Sequence, residues 1–128
     1  MIIINLKNII ESKSIYIHDS VIKSVICDYI NQTVKVKLDV TGVSGLGESG
    51  IKTAVIEFNK VKTESLSFFH PWGKGIWVAS LEINRNIPKI INLPKGDDLT
   101  NSFLTVFILT SGDKLEIVAE SLKFKTRK

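Results

Sequence analysis

Cysteine and histidine are scarce in this sequence, with one cysteine and two histidines among 128 residues. A single cysteine cannot form an internal disulfide, and it cannot build a thiolate zinc site. Two histidines without an acidic cluster beside them leave little material for any other metal centre. The sequence therefore predicts a domain without metal or cofactor. Cys27 is typical of a small buried apolar residue in a reducing, cytoplasmic compartment.

Long apolar runs are also missing from the chain. The longest, at residues 103–109, includes Thr105 and is far shorter than the ~20 residues that a membrane-spanning helix needs. Near the N-terminus an apolar run is soon interrupted by Lys7, and it has neither a basic segment before it nor a small-residue cleavage site after it. It therefore lacks the parts of a secretory signal. We expect a cytoplasmic protein without a membrane partner.

Acidic residues are absent from the last six positions, which hold Lys123, Lys125, Arg127 and Lys128. The formal net charge of the chain is +4, so the sequence before these four cations is neutral. A short terminal run of one charge is typical of a solvated tail. A chain of 128 residues is long enough for one core. We predict a single β domain over residues 1–128 with a flexible basic tail at 123–128, and nucleic acid is not the expected partner.

The main pattern in the sequence is an alternation of apolar and polar residues. In residues 33–41, valine or leucine at every even position alternates with polar residues that include Lys35 and Lys37. This period of two is typical of a half-buried strand. Residues 21–30 precede it as a run rich in β-branched side chains. Asn31 favours a tight hairpin turn between the two segments, because asparagine tolerates a positive φ.

Further strands are predicted along the rest of the chain. They are residues 51–58, 75–83, 102–110 and 115–124. In the second of them, alternation places Trp77 on the inward face. In the last, the inward set shifts register near Glu120, which a β-bulge would explain. Residues 111–114 (Ser-Gly-Asp-Lys) form a turn signal between two of these strands.

Helix signals are weak by comparison. The best candidate, residues 6–12, is only about two turns long, and residues 87–99 contain two prolines and a glycine that indicate an irregular connection. About eight strands joined by short turns, without the spacing of βαβ units, predict an all-β fold. We expect an antiparallel β-sandwich or barrel with at most one short helix.

Residues 45–50 read G-x-G-x-x-G, the spacing of a dinucleotide-binding turn. That motif works only where a helix follows, because the helix N-terminal amides hold the pyrophosphate. Here the following segment, residues 51–58, alternates as a strand. The glycines therefore indicate a flexible loop between strands, and Leu46 and Glu48 on it are candidate contact residues.

Catalytic arrangements are not supported by the spacing of the polar residues. His18, Asp19 and Ser20 include the three residue types of a serine triad, but consecutive residues cannot place nucleophile, base and orienting group in line. His18 and His70 could share acid–base work only if the fold brought them together. Asp19 is more typical of a turn. The sequence does not predict an enzyme.

The most distinctive stretch is the aromatic loop at residues 68–75, which reads Phe-Phe-His-Pro-Trp-Gly-Lys-Gly. Trp72 could offer a flat face to a sugar or a base, with Lys74 adding charge. Equally, the loop could fold its aromatic side chains back over the open end of the sheets. A third surface, the outward face of the first hairpin with Lys35, Lys37 and Lys23, lacks interleaved aromatics and is more typical of a solvated strand.

Several segments resemble a group of small, strand-rich bacterial proteins. They are Ile-His-Asp-Ser-Val-Ile at 17–22, Ile-Glu-Phe at 56–58, Pro-Trp-Gly at 71–73 and the run at 111–120. The resemblance spans about residues 15–124. Several proteins of this group are uncharacterised, and for others the resemblance implies immunity proteins that neutralise polymorphic toxins. Inhibitors of nucleases are commonly acidic, whereas this body is neutral with a basic tail. The resemblance therefore implies either that the toxin is not a nuclease or that charge is not the main determinant of recognition.

Together these observations predict a non-catalytic protein-interaction module of immunity type, with a toxin as its partner. The alternative is a β module that binds carbohydrate or single-stranded nucleic acid. Contact would fall on the loop 42–50, the loop 68–75 or an unpaired sheet edge, where self-association is also expected. The candidate partner-binding residues are Phe69, His70, Trp72, Lys74, Leu46 and Glu48.

Overall fold

The computed structural model describes residues 1–67, 77–87 and 99–128. These ranges contain nine β-strands and one short 3₁₀ helix at Leu6–Ser14. The strands are β1 (Ile2–Asn5), β2 (Val21–Asp28), β3 (Thr33–Asp39), β4 (Thr53–Asn59), β5 (Thr63–Leu66), β6 (Val78–Asn84), β7 (Phe103–Leu109), β8 (Lys114–Ala119) and β9 (Ser121–Arg127). The described helix is too short and too polar to cross a membrane.

The strands form two antiparallel sheets. The first sheet has the order β1-β9-β4-β3-β2, and the second has the order β5-β8-β7-β6. Their inward faces pack on each other, as shown by Phe58 of β4 and Phe107 of β7, whose ring centroids are 6.2 Å apart in an edge-on contact. The predicted all-β antiparallel fold is confirmed, and its arrangement is sandwich-like.

The apolar members of the alternating pattern are the buried side chains of the strands. On β3 and β4 the inward side chains Val36, Leu38, Ile56 and Phe58 are fully buried, whereas their sequence neighbours point outward. Apolar burial contributes roughly 25 cal/mol per Å², so these strands are held in register by the cost of exposing their inward set. This fixes which side chains reach the outer face of the first sheet.

The register shift near Glu120 has a different cause from the predicted bulge. β8 ends at Ala119 in the second sheet, and β9 begins at Ser121 in the first. The chain crosses between sheets at Glu120, whose backbone N–H donates to the Asn59 carbonyl at 3.2 Å. Both strands keep their apolar side chains inward, so the alternation must change phase at the crossing.

The predicted flexible tail at 123–128 is wrong for most of its length. Residues up to Arg127 belong to β9, which pairs with β1 on one side and β4 on the other. Leu122 and Phe124 are buried on its inward side, and their burial holds the strand in the sheet. Three of the four cations that suggested a solvated tail, Lys123, Lys125 and Arg127, are its outward side chains.

Trp77 is also placed differently from the prediction. It is 42% exposed, whereas its neighbour Val78 is fully buried. The pairing of β6 with β7 slips between Val78 and Ser80, and this irregularity reverses the alternation. The continuous pattern assumed from sequence therefore assigned Trp77 to the wrong face.

The turns depend on local side-chain hydrogen bonds. In the hairpin between β2 and β3, the Asp28 carboxylate accepts from the backbone N–H groups of Ile30 and Asn31, and Gln32, not Asn31, has the positive φ of 54°. The predicted turn at 111–114 is confirmed, with Gly112 at a φ of 91°. The connection predicted at 87–99 lies mostly outside the described residues.

Four buried side-chain polar atoms of the described residues have no hydrogen-bond partner, and the Thr105 hydroxyl oxygen is one of them. Thr105 of β7 is fully buried between Phe103 and Phe107 on the inward side, and within the described ranges its hydroxyl has no hydrogen-bond partner. We expect Thr105→Val to raise the free energy of unfolding by about 1 kcal/mol, because an unsatisfied hydroxyl is replaced by a methyl group of similar size. Urea unfolding measures the change.

The matched control is Thr33→Val, at a partly exposed strand position where the same exchange should have little effect. A lower stability for Thr105→Val than for the parent would contradict this account of the core.

Candidate functional site

Four of the six residues predicted to bind a partner, Phe69, His70, Trp72 and Lys74, lie outside the described residues. The other two, Leu46 and Glu48, lie on the loop between β3 and β4. Leu46 is half-buried against the core, and Glu48 is exposed. Only Glu48 of this pair offers its side chain freely to a partner.

The glycine-rich loop is a compact hydrogen-bonded turn. The N–H of Gly47 donates to the Val43 carbonyl at 2.9 Å, and the N–H of Ile51 donates to the Leu46 carbonyl at 3.1 Å. Gly45 has a φ of 88°, which side chains disfavour. A Cβ on Gly47 would overlap the carbonyl oxygen of Thr41. The glycines that match the spacing of a dinucleotide-binding motif are thus required by the backbone of this turn. The chain continues from the turn into strand β4.

The histidine-containing segment forms a surface turn. His18 Nδ1 lies 3.2 Å from Asp19 Oδ2, and the imidazole stacks on the Tyr16 ring at a centroid distance of 6.2 Å. Asp19 has a positive φ of 71° and donates its N–H to the Val78 carbonyl, which confirms the predicted turn. In the described ranges, no three His, Cys, Asp or Glu side chains gather as metal ligands.

Among the described residues, a concentration of positive charge lies on the outward face of the first sheet. On β3 the outward side chains include Lys35 and Lys37, and on β9 they are Lys123, Lys125 and Arg127. β3 and β9 are both neighbours of β4, so the two rows of cations lie on either side of that strand. We call β4 with these two rows the basic face.

Register places the rows opposite each other across β4. Val55 is paired with Lys37 on β3 and with Lys125 on β9. Glu57 is paired in the same way with Lys35 and Lys123. Neighbouring strands are about 4.8 Å apart, so the two rows are separated by roughly 10 Å. The basic face is therefore a channel with cationic walls and a narrow floor.

A depression of about 670 Å³ occupies this channel. Its lining includes six cationic side chains and one carboxylate: Lys35, Lys37, Lys52, Lys125, Arg127, Lys128 and Glu57. The side-chain charge around the depression therefore exceeds the formal +4 of the whole chain. Within the part of the chain that the structure describes, positive charge is concentrated here.

The floor of the channel is partly apolar. Val55 and Glu57 are half-buried although they point outward, because long lysine stems on both neighbouring strands cover part of them. Lys125 Nζ lies 4.0 Å from Glu57 Oε2, with the lysine side chain about half exposed. A pair at that distance in solvent contributes little stability.

Two carboxylates at the margins of this face, Asp39 and Asp28, accept hydrogen bonds within local turns. The Asp39 carboxylate accepts from the backbone N–H and the hydroxyl of Thr41, at 2.9 and 2.7 Å. These bonds lower the pKa of Asp39, as does the nearby charge of Lys23. Asn31 lowers the pKa of Asp28 similarly through its side-chain and backbone N–H groups. Neither carboxylate pairs with the cations of the channel walls by a described salt bridge.

Both halves of the basic face can be recognised in the sequence, but as separate features. Lys35 and Lys37 are typical of a solvated strand, and Lys125 and Arg127 of a basic tail. The alternation of Leu122 and Phe124 predicts a strand as far as residue 124, whereas the observed strand continues to Arg127. Nothing in the sequence showed that this strand would pair with β4.

Comparison with known proteins agrees with a sandwich-like all-β fold. The solved structure of an uncharacterized protein from Neisseria gonorrhoeae superposes on this chain with a TM-score of 0.50. The match covers 98% of each chain at 12% sequence identity, and at that identity it shows the fold alone. No protein family matches the sequence, and no curated protein does.

The turn geometry predicts a specific sensitivity at Gly47. We expect Gly47→Ala to lower the free energy of unfolding by about 1–3 kcal/mol, because the added methyl group overlaps backbone that must then shift. Gly42→Ala is the control, since its Cβ would make ordinary contacts with the Asp19 carbonyl at 3.4 Å and the Trp77 ring at 3.7 Å. Equal urea midpoints for the two variants would contradict the described loop.

The basic face should be dispensable for stability. We expect the double variant Lys37→Ser/Lys125→Ser to keep the free energy of unfolding within about 0.5 kcal/mol of the parent. At low salt a small increase is expected, because two like charges have been removed from a crowded face. Thermal unfolding at low and moderate salt measures this, and a large loss of stability would mean that these lysines serve the fold.

Proposed function

We propose that this chain is a non-catalytic protein-interaction module whose basic face binds an acidic surface of a partner protein. The observation that carries the proposal is the convergence of six cationic side chains around one depression, with a single carboxylate among them. Such a concentration of like charge is unfavourable in the free protein. An acidic partner relieves it and is steered toward it during encounter.

The composition of the face supports a protein partner. Strands β1 to β4 and β9 are described in full, and none of their outward positions carries an aromatic side chain. Proteins that bind single-stranded nucleic acid use aromatic rings on which bases stack. Val55 instead provides a small apolar centre within a charged rim, the usual arrangement of a protein interface.

The immunity role is proposed from the resemblance of residues 17–22, 56–58 and 111–120. A basic face would be repelled by the cationic groove with which a nuclease holds phosphates. We therefore propose that the toxin presents an acidic surface and is bound away from any such groove. We place the interaction in the cytoplasm, where a free thiol such as Cys27 is stable.

Nucleic acid is the second candidate, and the same density of cations favours it. Phosphate contacts need no aromatic ring when binding is independent of sequence. A carbohydrate-binding role depended on Trp72, which lies outside the described residues. It has no support from the basic face, whose floor offers no flat ring.

Self-association is proposed at β2, the strand at one edge of the first sheet. Ile26 on this strand and Tyr29 and Ile30 in the adjoining turn are exposed apolar side chains. Within the described residues, β2 meets the second sheet at the Val21–Trp77 bridge and through the Cys27 thiol, which lies 3.7 Å from Glu64 Oε2 of β5. An open edge with apolar side chains is a common place for a second copy to pair.

Charge reversal tests the proposed function. We expect Lys37→Glu/Lys125→Glu to weaken binding of the partner protein by at least tenfold, since each reversal replaces attraction by repulsion at the centre of the face. The assay is a tagged pull-down from native lysate at low salt, with and without nuclease treatment. The retained protein is then titrated against the parent and the variant.

The control variant is Lys7→Glu/Lys114→Glu, which makes the same change in net charge on exposed side chains away from the basic face. It should retain the partner. If the reversal pair binds the same protein as tightly as the control, the basic face is not the contact surface. Retention that nuclease abolishes would support the nucleic-acid candidate instead.

A further inference from the structure

The shape of the basic face restricts what kind of acidic element can occupy it. β4 lies between β3 and β9 and is paired with both of them along its length. Its backbone N–H and C=O groups are therefore already used by the sheet, and a partner cannot add a strand there. An element that binds on top of β4 must satisfy its own backbone, as an α-helix does.

The width of the channel fits such a helix. The cation rows on β3 and β9 are separated by two strand spacings, roughly 10 Å, and an α-helix with its side chains is about 10–12 Å across. A helix lying along β4 would present one flank to Lys35 and Lys37 and the other to Lys125 and Arg127. Acidic residues on both flanks would then meet cations on both walls.

The outward side chains of β4, which form the floor of the channel, determine which residue types the helix needs on the side that faces the sheet. Val55 is the apolar side chain in the centre of the channel, with Thr53 on one side of it and Glu57 on the other. A helix with a small apolar stripe would cover Val55 and keep its carboxylates clear of Glu57. From Thr53 to Glu57 the strand rises about 13 Å, which corresponds to about nine helical residues.

The charge along the channel is uneven, and this sets a direction. At one end Glu57 lies between Lys35 and Lys123, which leaves a net charge of +1. At the other end Lys52, Arg127 and Lys128 outnumber Asp39, the partner of Thr53, which leaves a net charge of +2. The N-terminus of a helix carries partial positive charge and its C-terminus partial negative charge. The favourable orientation places the N-terminus over Glu57 and the C-terminus beside Lys52 and Arg127.

We propose that the partner element bound by the basic face is an acidic amphipathic α-helix lying along β4, with its C-terminal end at Lys52 and Arg127. This inference rests on the proposed function, because it assumes that the basic face binds a protein. It adds the secondary structure of the bound element, its length along β4 and the direction in which it lies.

The probe is a synthetic peptide of about 15 residues, near the length at which an isolated helix persists in water. It carries glutamates on both flanks of a narrow alanine and leucine stripe, and its ends are blocked. The matched peptide has the same charge and a central proline that breaks the helix. Fluorescence anisotropy compares the two on the full chain and on Lys37→Glu/Lys125→Glu.

We expect the helical peptide to bind at least tenfold more tightly than the proline peptide and to lose its affinity with the charge-reversed variant. A nitroxide at the peptide C-terminus should broaden the amide resonances of Lys52 and Arg127, and a nitroxide at the N-terminus should broaden that of Glu57. The reverse pattern of broadening would overturn the proposed direction.

Other outcomes separate this inference from the proposed function. Equal binding of the two peptides, lost in the charge-reversed variant, would overturn the helix and leave an acidic protein partner in place. No binding of either peptide would also overturn the helix, while the pull-down would still decide the proposed function. Tighter binding of a single-stranded oligonucleotide than of the helical peptide would overturn both.

Discussion

The pairing of β9 with β4 is the constraint on which the rest of the structure depends. β9 lies between β1 and β4, so it connects the N-terminal strand to the hairpin formed by β3 and β4. Leu122 and Phe124 fill the inward side of the same strand. The first sheet, its core and its outward charge therefore all require that this strand be in place.

The crossing at Glu120 makes this arrangement possible. Had the chain continued along β8, Lys123 and Lys125 would have stayed in the second sheet, on the strand between β5 and β7 and away from Lys35 and Lys37. Because the chain changes sheets between Ala119 and Ser121, one continuous segment contributes to both layers. The charge of the C-terminal residues thereby becomes part of a surface.

The strands could be predicted from sequence because alternation is a local property. Val34, Val36 and Leu38 identify β3 without knowledge of any neighbour, and the same holds for most of the other strands. The face of Trp77 could not be predicted, since the slip between Val78 and Ser80 depends on pairing with β7. The basic face was missed for the same reason. Its members are distant in sequence, and only the order of strands brings Lys37 and Lys125 to opposite sides of Val55.

The pairing of β4 with β9 also has a kinetic consequence. Thr53 and Arg127, which are partners in the sheet, belong to opposite halves of the chain, and closing so long a loop is a slow event in folding. Until it closes, Lys35 and Lys37 exist on a hairpin without the opposing row. The channel is thus completed only with the long-range topology, so a chain that has not finished folding would present these cations without the channel to which the proposed partner binds.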